Sequence, residues 1–171
     1  DKGDGLKETK LKCSSFSGEI SMKKKAGWFQ RGVATGRYSD VIDAPIEQVL
    51  AWVWDVCSNQ RMRIHREQGD IARLLLSDDG RESNTAYIKR LPWPLSNREF
   101  LSRSAWWKKD ENGVIYIAHL TRDDVVDYGT SFRTVRGSVV GLIKLNPVSE
   151  RQCDMIFTQS IDAAGRLPGF V

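Results

Sequence analysis

The sequence predicts an α+β domain in which one large antiparallel sheet carries few helices. Two patterns indicate this class. A single amphipathic helical segment begins near residue 45, and residues 71–161 form a run of β-branched stretches separated by turn residues. Strands that follow one another at hairpin spacing pair antiparallel, with the helices on one face. The length of 171 residues and the apolar fraction of 40% fit one globular domain.

The first part of the chain differs from the rest in charge and pattern. Its opening residues are polar and lack an apolar period, so we expect a flexible lead-in over residues 1–15 and a domain over 16–171. Residues 1–37 contain 9 Lys/Arg and 4 Asp/Glu, whereas residues 38–171 contain 17 and 18. The triple lysine at 23–25 is either a solvated turn or a contact for anionic lipid. Since the rest of the chain has no basic stripe, no nucleic-acid partner is expected.

Helix signals begin at Asp43-Ala44-Pro45. Proline presets φ for a first helical turn, and the aspartate ahead of it can accept hydrogen bonds from free backbone N–H groups. Residues 61–68 are too polar to continue the segment, so one helix of about 12 residues is expected. Its apolar face, at three- and four-residue spacing, consists of Ile46, Val49, Leu50, Val53 and Cys57.

The rest of the domain is predicted to be strands. They cover residues 16–22, 33–42, 71–77, 85–91, 98–108, 114–120, 132–140, 142–145 and 153–161. Asn112-Gly113 is a strong hairpin signal, and Asn146-Pro147 predicts the turn before the last strand. A sheet this large leaves concave apolar surface that one short helix cannot cover. Another helix, a partner or a ligand must therefore cover it.

The sequence contains no motif with the residue spacing typical of a metal site, a nucleotide-binding site or a catalytic nucleophile. His65 and His119 are far apart, and no zinc spacing, phosphate-binding glycine loop or nucleophile elbow is present. No metal or other cofactor is therefore expected. Asp123, Asp124 and Asp127 are interpreted as a solvated loop, because the glycine turn and distal glutamate of a calcium loop are missing. An acid–base carboxylate pair across the sheet stays open, since such pairs leave no sequence spacing.

Cysteine usage and hydropathy bear on the compartment. The three cysteines, Cys13, Cys57 and Cys153, are widely spaced and odd in number, which favours a reducing, cytoplasmic location. The longest apolar runs are only a few residues, whereas a membrane span needs ~20. No membrane-crossing helix is therefore expected.

Three segments of the chain, in order, are similar to motifs of a known family. Residues 88–100 read IKRLPWPLSNREF, like a Pro-x-Ser-x-Arg-Asp-Phe/Tyr motif that opens a strand. Residues 132–137 read FRTVRG, like the strand after a gating loop. Residues 160–168 read SIDAAGRLP, like an Asp-x-x-Gly-x-x-Pro that precedes a last helix, and the helix start at 43–45 also fits. Over residues 33–171 the chain thus resembles the StAR-related lipid-transfer (START) domains, most nearly the phosphatidylcholine-transfer type.

This resemblance implies a helix-grip fold of the START and Bet v 1 kind, in which a curved antiparallel sheet wraps a long C-terminal helix around a lipid-sized tunnel. The chain opens on Asp1 and stops at Val171, where the lid helix of the family would begin. We therefore expect the protein to continue, and the lidless segment to be weakly stable or to self-associate. The implied function is non-covalent binding, with transfer or sensing, of a phospholipid- or sterol-class lipid. The implied location is the cytoplasm, with transient contact to a membrane surface and no catalysis.

The resemblance also implies roles for individual residues. Arg61 matches a head-group arginine, but Ile64 and His65 stand where the family has Trp and Asp, so the phosphocholine site is incomplete. Two further positions match aromatic residues that cage a quaternary ammonium by cation–π attraction. The implied lipid-binding residues are Tyr87, Arg98, Phe100, Ser102, Ser104 and Arg61, with Tyr87 and Phe100 as the cage. The implied gating loop, residues 121–131, carries Val125, Val126 and Tyr128.

The expected polarity of the tunnel follows from the strand at 98–108. Alternation puts Arg98, Phe100, Ser102, Ser104 and Trp106 on one face of that strand. Such a mixed face suits an amphiphilic ligand or a small polar core network, and both stay open. Ser104 stands where sterol-binding relatives have a second arginine, which favours a neutral or weakly polar lipid. Arg98 is expected to order the start of the strand or the head-group end rather than to perform chemistry.

Other functions stay open on the sequence. The chain is alternatively a ligand-controlled regulatory module of a longer protein. A cyclase or aromatase on the same fold is a further alternative, and it would use His119 or Arg98 as an acid or base in the tunnel. For the apolar pair Val125-Val126, dipping into a membrane interface and packing against the lid helix are both open.

Overall fold

The protein is described by a computed structural model that covers residues 6–11, 19–25, 31–109 and 111–166. These residues form ten strands and two helices. In chain order the elements are β1 (Leu6–Leu11), β2 (Glu19–Lys25), β3 (Arg31–Ile42), α1 (Ile46–Trp54), α2 (Asn59–Glu67), β4 (Asp70–Asp78), β5 (Glu82–Lys89), β6 (Asn97–Lys109), β7 (Val114–Thr121), β8 (Thr134–Arg136), β9 (Ser138–Ser149) and β10 (Gln152–Arg166).

One curved sheet contains all the strands, which confirms the predicted α+β class. The strand order is β1-β2-β3-β10-β9-β7-β6-β5-β4, and all neighbours on this path pair antiparallel. The predicted Asn-Gly hairpin joins β6 to β7, with Lys109 opposite Val114. The short strand β8 lies off this path and pairs in parallel with β6, an arrangement that the sequence did not predict.

The hydrophobic core lies between α1 and the centre of the concave face. Ile46 and Val49 of α1 are buried, and they pack on side chains from β7, β9 and β10. The predicted helical face is confirmed for these two residues, but the helix ends at Trp54, so Cys57 lies beyond it. The buried cluster consists of Ile46, Val49, Ile115, Ile117, Ile143, Leu145 and Cys153.

A second helix, α2, forms where the sequence was interpreted as too polar for one. Local capping explains the difference: the Ser58 hydroxyl accepts a hydrogen bond from the Arg61 backbone N–H at 3.4 Å. No residue of α2 is buried. The helix therefore has no apolar stripe from which periodicity could predict it.

The predicted strands at 132–140 and 142–145 were wrongly divided. The boundary between the two strands is at Gly137 rather than at Gly141, and β9 then continues without interruption to Ser149. The Gly137 N–H donates to the Glu99 carbonyl at 2.8 Å, which ends β8 against β6. Pro147 lies inside β9 instead of in a turn, beside a register shift at 152–153 that accommodates a residue without an N–H group. The turn is at residues 150–151.

The N-terminal segment contains a strand where a flexible lead-in was predicted. β1 pairs with β2 over its whole length, with Leu6 opposite Lys25. Main-chain hydrogen bonds hold such an outer strand without an apolar side-chain period, which explains why the pattern missed it. The strand predicted at 16–22 is β2, whose described part begins at Glu19; residues 1–5 and 12–18 lie outside the described part. The domain boundary near residue 15 stays a prediction.

Replacing Gly137 by alanine should destabilise the fold more than the same change at Gly141. A Cβ at Gly137 would overlap the Phe100 ring and lie 2.9 Å from the Asp162 carbonyl oxygen. At Gly141 the nearest atoms would be at 3.4 Å, an ordinary contact. We expect Gly137→Ala to lower the free energy of unfolding by about 1–3 kcal/mol, and Gly141→Ala to change it by well under half of that, measured by urea denaturation. Equal losses would contradict the packing described for β8.

Candidate ligand-binding site

A cleft of about 690 Å³ lies between α1 and the concave face of the sheet. Its wall is mostly aliphatic and aromatic, and its polar side chains are Gln48, Arg61 and His119. The volume lies within the range of pockets that hold small organic ligands. The residues that line it are Ile42, Ala44, Gln48, Val49, Trp52, Val53, Val56, Arg61, His119, Ile143, Met155 and Phe157.

A smaller chamber of about 190 Å³ lies next to the cleft, toward β5 and β6. Four residues line both spaces: Val53, Val56, His119 and Phe157. The chamber differs from the cleft in chemistry, because hydroxyl groups from two paired strands face it. These are Ser83, Thr85 and Tyr87 of β5 and Ser102 and Ser104 of β6.

The chamber wall satisfies part of its own hydrogen bonding. Thr85 Oγ1 and Ser102 Oγ are 3.0 Å apart, and both residues are buried. Ser102 and Ser104 thus face the interior, as the predicted alternation along this strand implied. The mixed face combines these hydroxyl pairs with the stacked aromatic residues next to them.

His119 is the one imidazole in the two cavities. Its Nδ1 atom is 2.7 Å from Ser104 Oγ, the residue opposite it on β6. Burial lowers the pKa of this imidazole, so the ring is neutral at neutral pH. The sequence named His119 only as an acid or base of an alternative enzyme; its alternation with Ile115 and Ile117 on β7 was the signal that it faces inward.

Arg61 places an incompletely satisfied guanidinium at the α2 side of the cleft. Its Nε atom is buried and has no hydrogen-bond partner among the described residues. The guanidinium carbon lies 4.9 Å from the centre of the Trp52 ring. Burial, together with the positive charge of Arg73, lowers the pKa of Arg61. The Arg61 side chain also lines the cleft, which brings the charge of its guanidinium to a ligand there.

Asp70 is the shared carboxylate of a basic cluster beside α2. Arg73 Nη2 lies 2.7 Å and Lys89 Nζ 3.2 Å from its two oxygens, and His65 Nδ1 lies 3.9 Å away. The carboxylate is almost fully buried, so these contacts offset its desolvation. Burial and the charge of Arg73 lower the pKa of His65. With two cations on one carboxylate, the cluster carries net positive charge near Arg61.

The two implied cage residues stack on one another, but a cation already covers one of them. Tyr87 and Phe100 are neighbours on β5 and β6, with ring centres 5.2 Å apart. The Arg73 guanidinium lies 4.6 Å from the centre of the Tyr87 ring. Burial raises the pKa of Tyr87 to about 12, so its hydroxyl stays protonated. A quaternary ammonium at this ring would meet the charge of Arg73.

Arg98 is buried and bonds to main-chain carbonyls. Nε donates to Ala163 O and Nη1 to Ser96 O, each at 2.5 Å, and Nη2 donates to Ala164 O at 3.4 Å. It lines neither the cleft nor the chamber. These contacts join the start of β6 to the irregular part of β10, where the register shifts after Asp162.

The predicted gating loop lies at one end of the sheet, away from both cavities. Val125 is 95% exposed, and Val125, Val126 and Tyr128 line a separate surface depression with Glu99 and Arg136. Arg136 holds the loop: it donates to Glu99 Oε2 and to the Asp124 carbonyl, each at 2.9 Å. Burial, followed by Glu99, raises the pKa of Tyr128.

Within the described ranges, no cluster of three His, Cys, Asp or Glu side chains is placed to hold a metal ion. Neither of the two helices in these ranges has the length and hydropathy of a membrane-spanning segment.

Arg98→Lys should destabilise the fold strongly, whereas Arg103→Lys on the same strand should not. One ammonium cannot replace the three-carbonyl contact of a buried guanidinium, so we expect a loss of roughly 2–4 kcal/mol of unfolding free energy. Arg103 is exposed and pairs with Glu82, so its replacement should cost under about 1 kcal/mol. Urea denaturation of both variants tests this. A small effect at Arg98 would show that its carbonyl contacts contribute little.

Stability should fall as the pH drops below about 6.5, the ordinary pKa of histidine. Both His65 and His119 have lowered pKa values in the folded state, so the unfolded chain binds more protons in this range and protonation favours unfolding. Unfolding free energies at about pH 7.5 and about pH 5.5 measure the loss, and His119→Gln should reduce it. An unchanged loss in this variant would mean that His119 does not titrate as described.

Solved structures with the same architecture provide the comparison with known proteins. The human StarD13 lipid transfer and protein localization domain superposes with a TM-score of 0.66 at 16% identity, covering 96% of this chain and 79% of that one. A STAR-related lipid transfer protein fragment from Xanthomonas axonopodis gives 0.66 at 18%, covering 96% and 85%. Human STARD10 gives 0.66 at 17%; this chain covers 63% of its length and matches over 96% of its own. No protein-family model and no curated protein sequence matches the chain.

Proposed function

From the START-type helix-grip fold that this chain adopts, we propose that it binds one lipid molecule non-covalently in the cleft and transfers or senses it. The observation that carries the proposal is the apolar cleft of about 690 Å³ under α1. The proteins of the same fold named for lipid transfer support it. Acyl chains or a steroid ring system would leave one apolar medium for another, so that binding and release cost little.

The polar side chains of the cleft give the lipid an orientation. Arg61 lines the cleft, and its guanidinium pairs with an oxygen atom of the lipid. The positive cluster around Asp70 favours an oxygen-rich group on this side. The same charges disfavour a choline group stacked on Tyr87, because Arg73 already covers that ring. Phospholipid and sterol classes are both compatible with these contacts, and choline-specific recognition by Tyr87 and Phe100 is not.

The loop after β7 is proposed to act at the membrane. Val125 presents an exposed apolar side chain, and Arg136 attaches the loop to the sheet. Insertion of Val125 into a membrane surface that moves the loop would break the bond from Arg136 to the Asp124 carbonyl. A regulatory module that responds to bound lipid would use the same cleft, so transfer is the property that distinguishes a carrier from a sensor.

Filling the cleft should abolish binding without unfolding the protein. Val53 lines both cavities, so Val53→Trp occupies the space that a ligand would take. Val41 is 51% exposed and lines neither, which makes Val41→Trp a matched control. We expect Val53→Trp to reduce lipid capture by more than about tenfold, because the added indole leaves no room for a chain. Native mass spectrometry after incubation with mixed-lipid vesicles measures capture, and circular dichroism checks the fold.

Two outcomes would oppose the proposal. Equal capture by the wild type and Val53→Trp, with both folded, would place the lipid outside the cleft. Recovery of the captured lipid with an altered mass after prolonged incubation would favour the alternative of an enzyme on the same fold. Lipid of unchanged mass, together with movement of lipid between vesicle populations, supports a carrier.

A further inference from the structure

His119 lies where the cleft and the chamber meet, and the contacts described above leave one of its nitrogens unused. Its side chain lines both spaces. Nδ1 is paired with Ser104, whereas Nε2 has no hydrogen-bond partner among the described residues. Nε2 is unpaired but not fully buried, so it is accessible from the cavity.

The groups around the imidazole position it without using Nε2. Ser104 faces it from β6, and Gly141 faces it from β9. A Cβ at Gly141 would lie 3.6 Å from His119 Cδ2, so the glycine leaves room for the edge of the ring. Phe157 lines the same junction from β10. The ring is therefore held between strands, with its second nitrogen toward the ligand space.

The hydrogen-bonding of a neutral imidazole limits what can bind there. Its two nitrogens are one donor and one acceptor. If the Ser104 hydroxyl donates to Nδ1, then Nε2 carries the hydrogen and donates to the ligand. If Nδ1 donates to Ser104 Oγ, then Nε2 accepts from the ligand. A hydroxyl group pairs with either form, a carbonyl pairs only with the first, and a quaternary ammonium pairs with neither.

We propose that His119 Nδ1 donates to Ser104 Oγ and that Nε2 accepts a hydrogen bond from an uncharged hydroxyl group on the bound lipid, so that the site selects a sterol or a long-chain alcohol. This inference rests on the proposed function of the cleft. The apolar body of the ligand lies along α1, and its hydroxyl reaches the junction with the chamber. His119 is then a specificity-determining residue, and Ser104 is a positioning residue that fixes the hydrogen on one nitrogen.

The test compares each alcohol with its own methyl ether, which cannot donate a hydrogen bond. The probes are dehydroergosterol and a pyrene-labelled long-chain alcohol, each with its ether, added to the purified chain and followed by fluorescence. The wild type should bind at least one alcohol about three- to tenfold more tightly than its ether. His119→Leu should remove this preference, and Ser104→Ala should reduce it. Tyr116→Leu, which changes a ring on the same strand that lines neither cavity, should leave it intact.

The ratio of alcohol to ether affinity separates specificity from folding, because a merely destabilised variant loses both ligands equally. Preference for the sterol alone or for the chain alcohol alone supports the inference and identifies the ligand class. Equal affinity for alcohol and ether in the wild type, or a preference that survives in His119→Leu, would overturn it. Binding of phosphatidylcholine vesicle lipid without either alcohol would also overturn it while lipid binding stands. If the protein binds none of these lipids, the proposed function is overturned as well.

Discussion

The structure depends on a mismatch between a broad curved sheet and the single short apolar helix that packs on it. Ile46 and Val49 of α1 fasten the helix to the centre of the concave face, where burial of apolar surface stabilises it. The second helix buries no residue of its own and adds little to this contact. Among the described residues, no other helix packs on the concave face. The cleft is the gap that remains between α1 and the sheet beside this buried contact, so the site follows from how the core is distributed.

The wall of this space changes character from β9 and β10 toward β5. Near α1 it is apolar, with Ile143 and Phe157, whereas toward β5 it consists of hydroxyl groups. Several of the polar groups have protein partners: Thr85 pairs with Ser102, and Arg73 with Asp70. Groups that are paired in this way need no hydrogen bond from a ligand. In the described part of the chain, Arg61 Nε and His119 Nε2 are two nitrogen atoms of this wall without a hydrogen-bond partner, and they give the space two ends with different preferences.

The sequence predicted the features that depend on neighbouring residues, and it missed those that depend on contacts between residues distant in the chain. The start of α1 and the hairpin after Lys109 were predictable because Pro45 and Asn112-Gly113 act on the backbone next to them. α2 was not, since one hydroxyl at Ser58 supports it and no apolar stripe does. β8 and β9 are divided at Gly137, where the Phe100 ring of β6 leaves no room for a Cβ atom. This contact joins residues far apart in the chain. Likewise, Ser104 and His119 are 15 residues apart, and only the strand register brings them together.

The loop that carries Val125 has both ends attached to the same strand. The Arg122 N–H donates to the Leu101 carbonyl at 2.9 Å, and beyond the loop β8 pairs with Asn97, Arg98 and Glu99. The distance between the two anchor points is thus set by a few residues of β6 and does not depend on the loop. For a flexible loop, each doubling in length costs only about 0.6 kcal/mol of closure entropy. Insertions in this loop would therefore lengthen it without changing the geometry of the sheet. The length of the loop can thus vary among proteins of this architecture while the sheet stays the same.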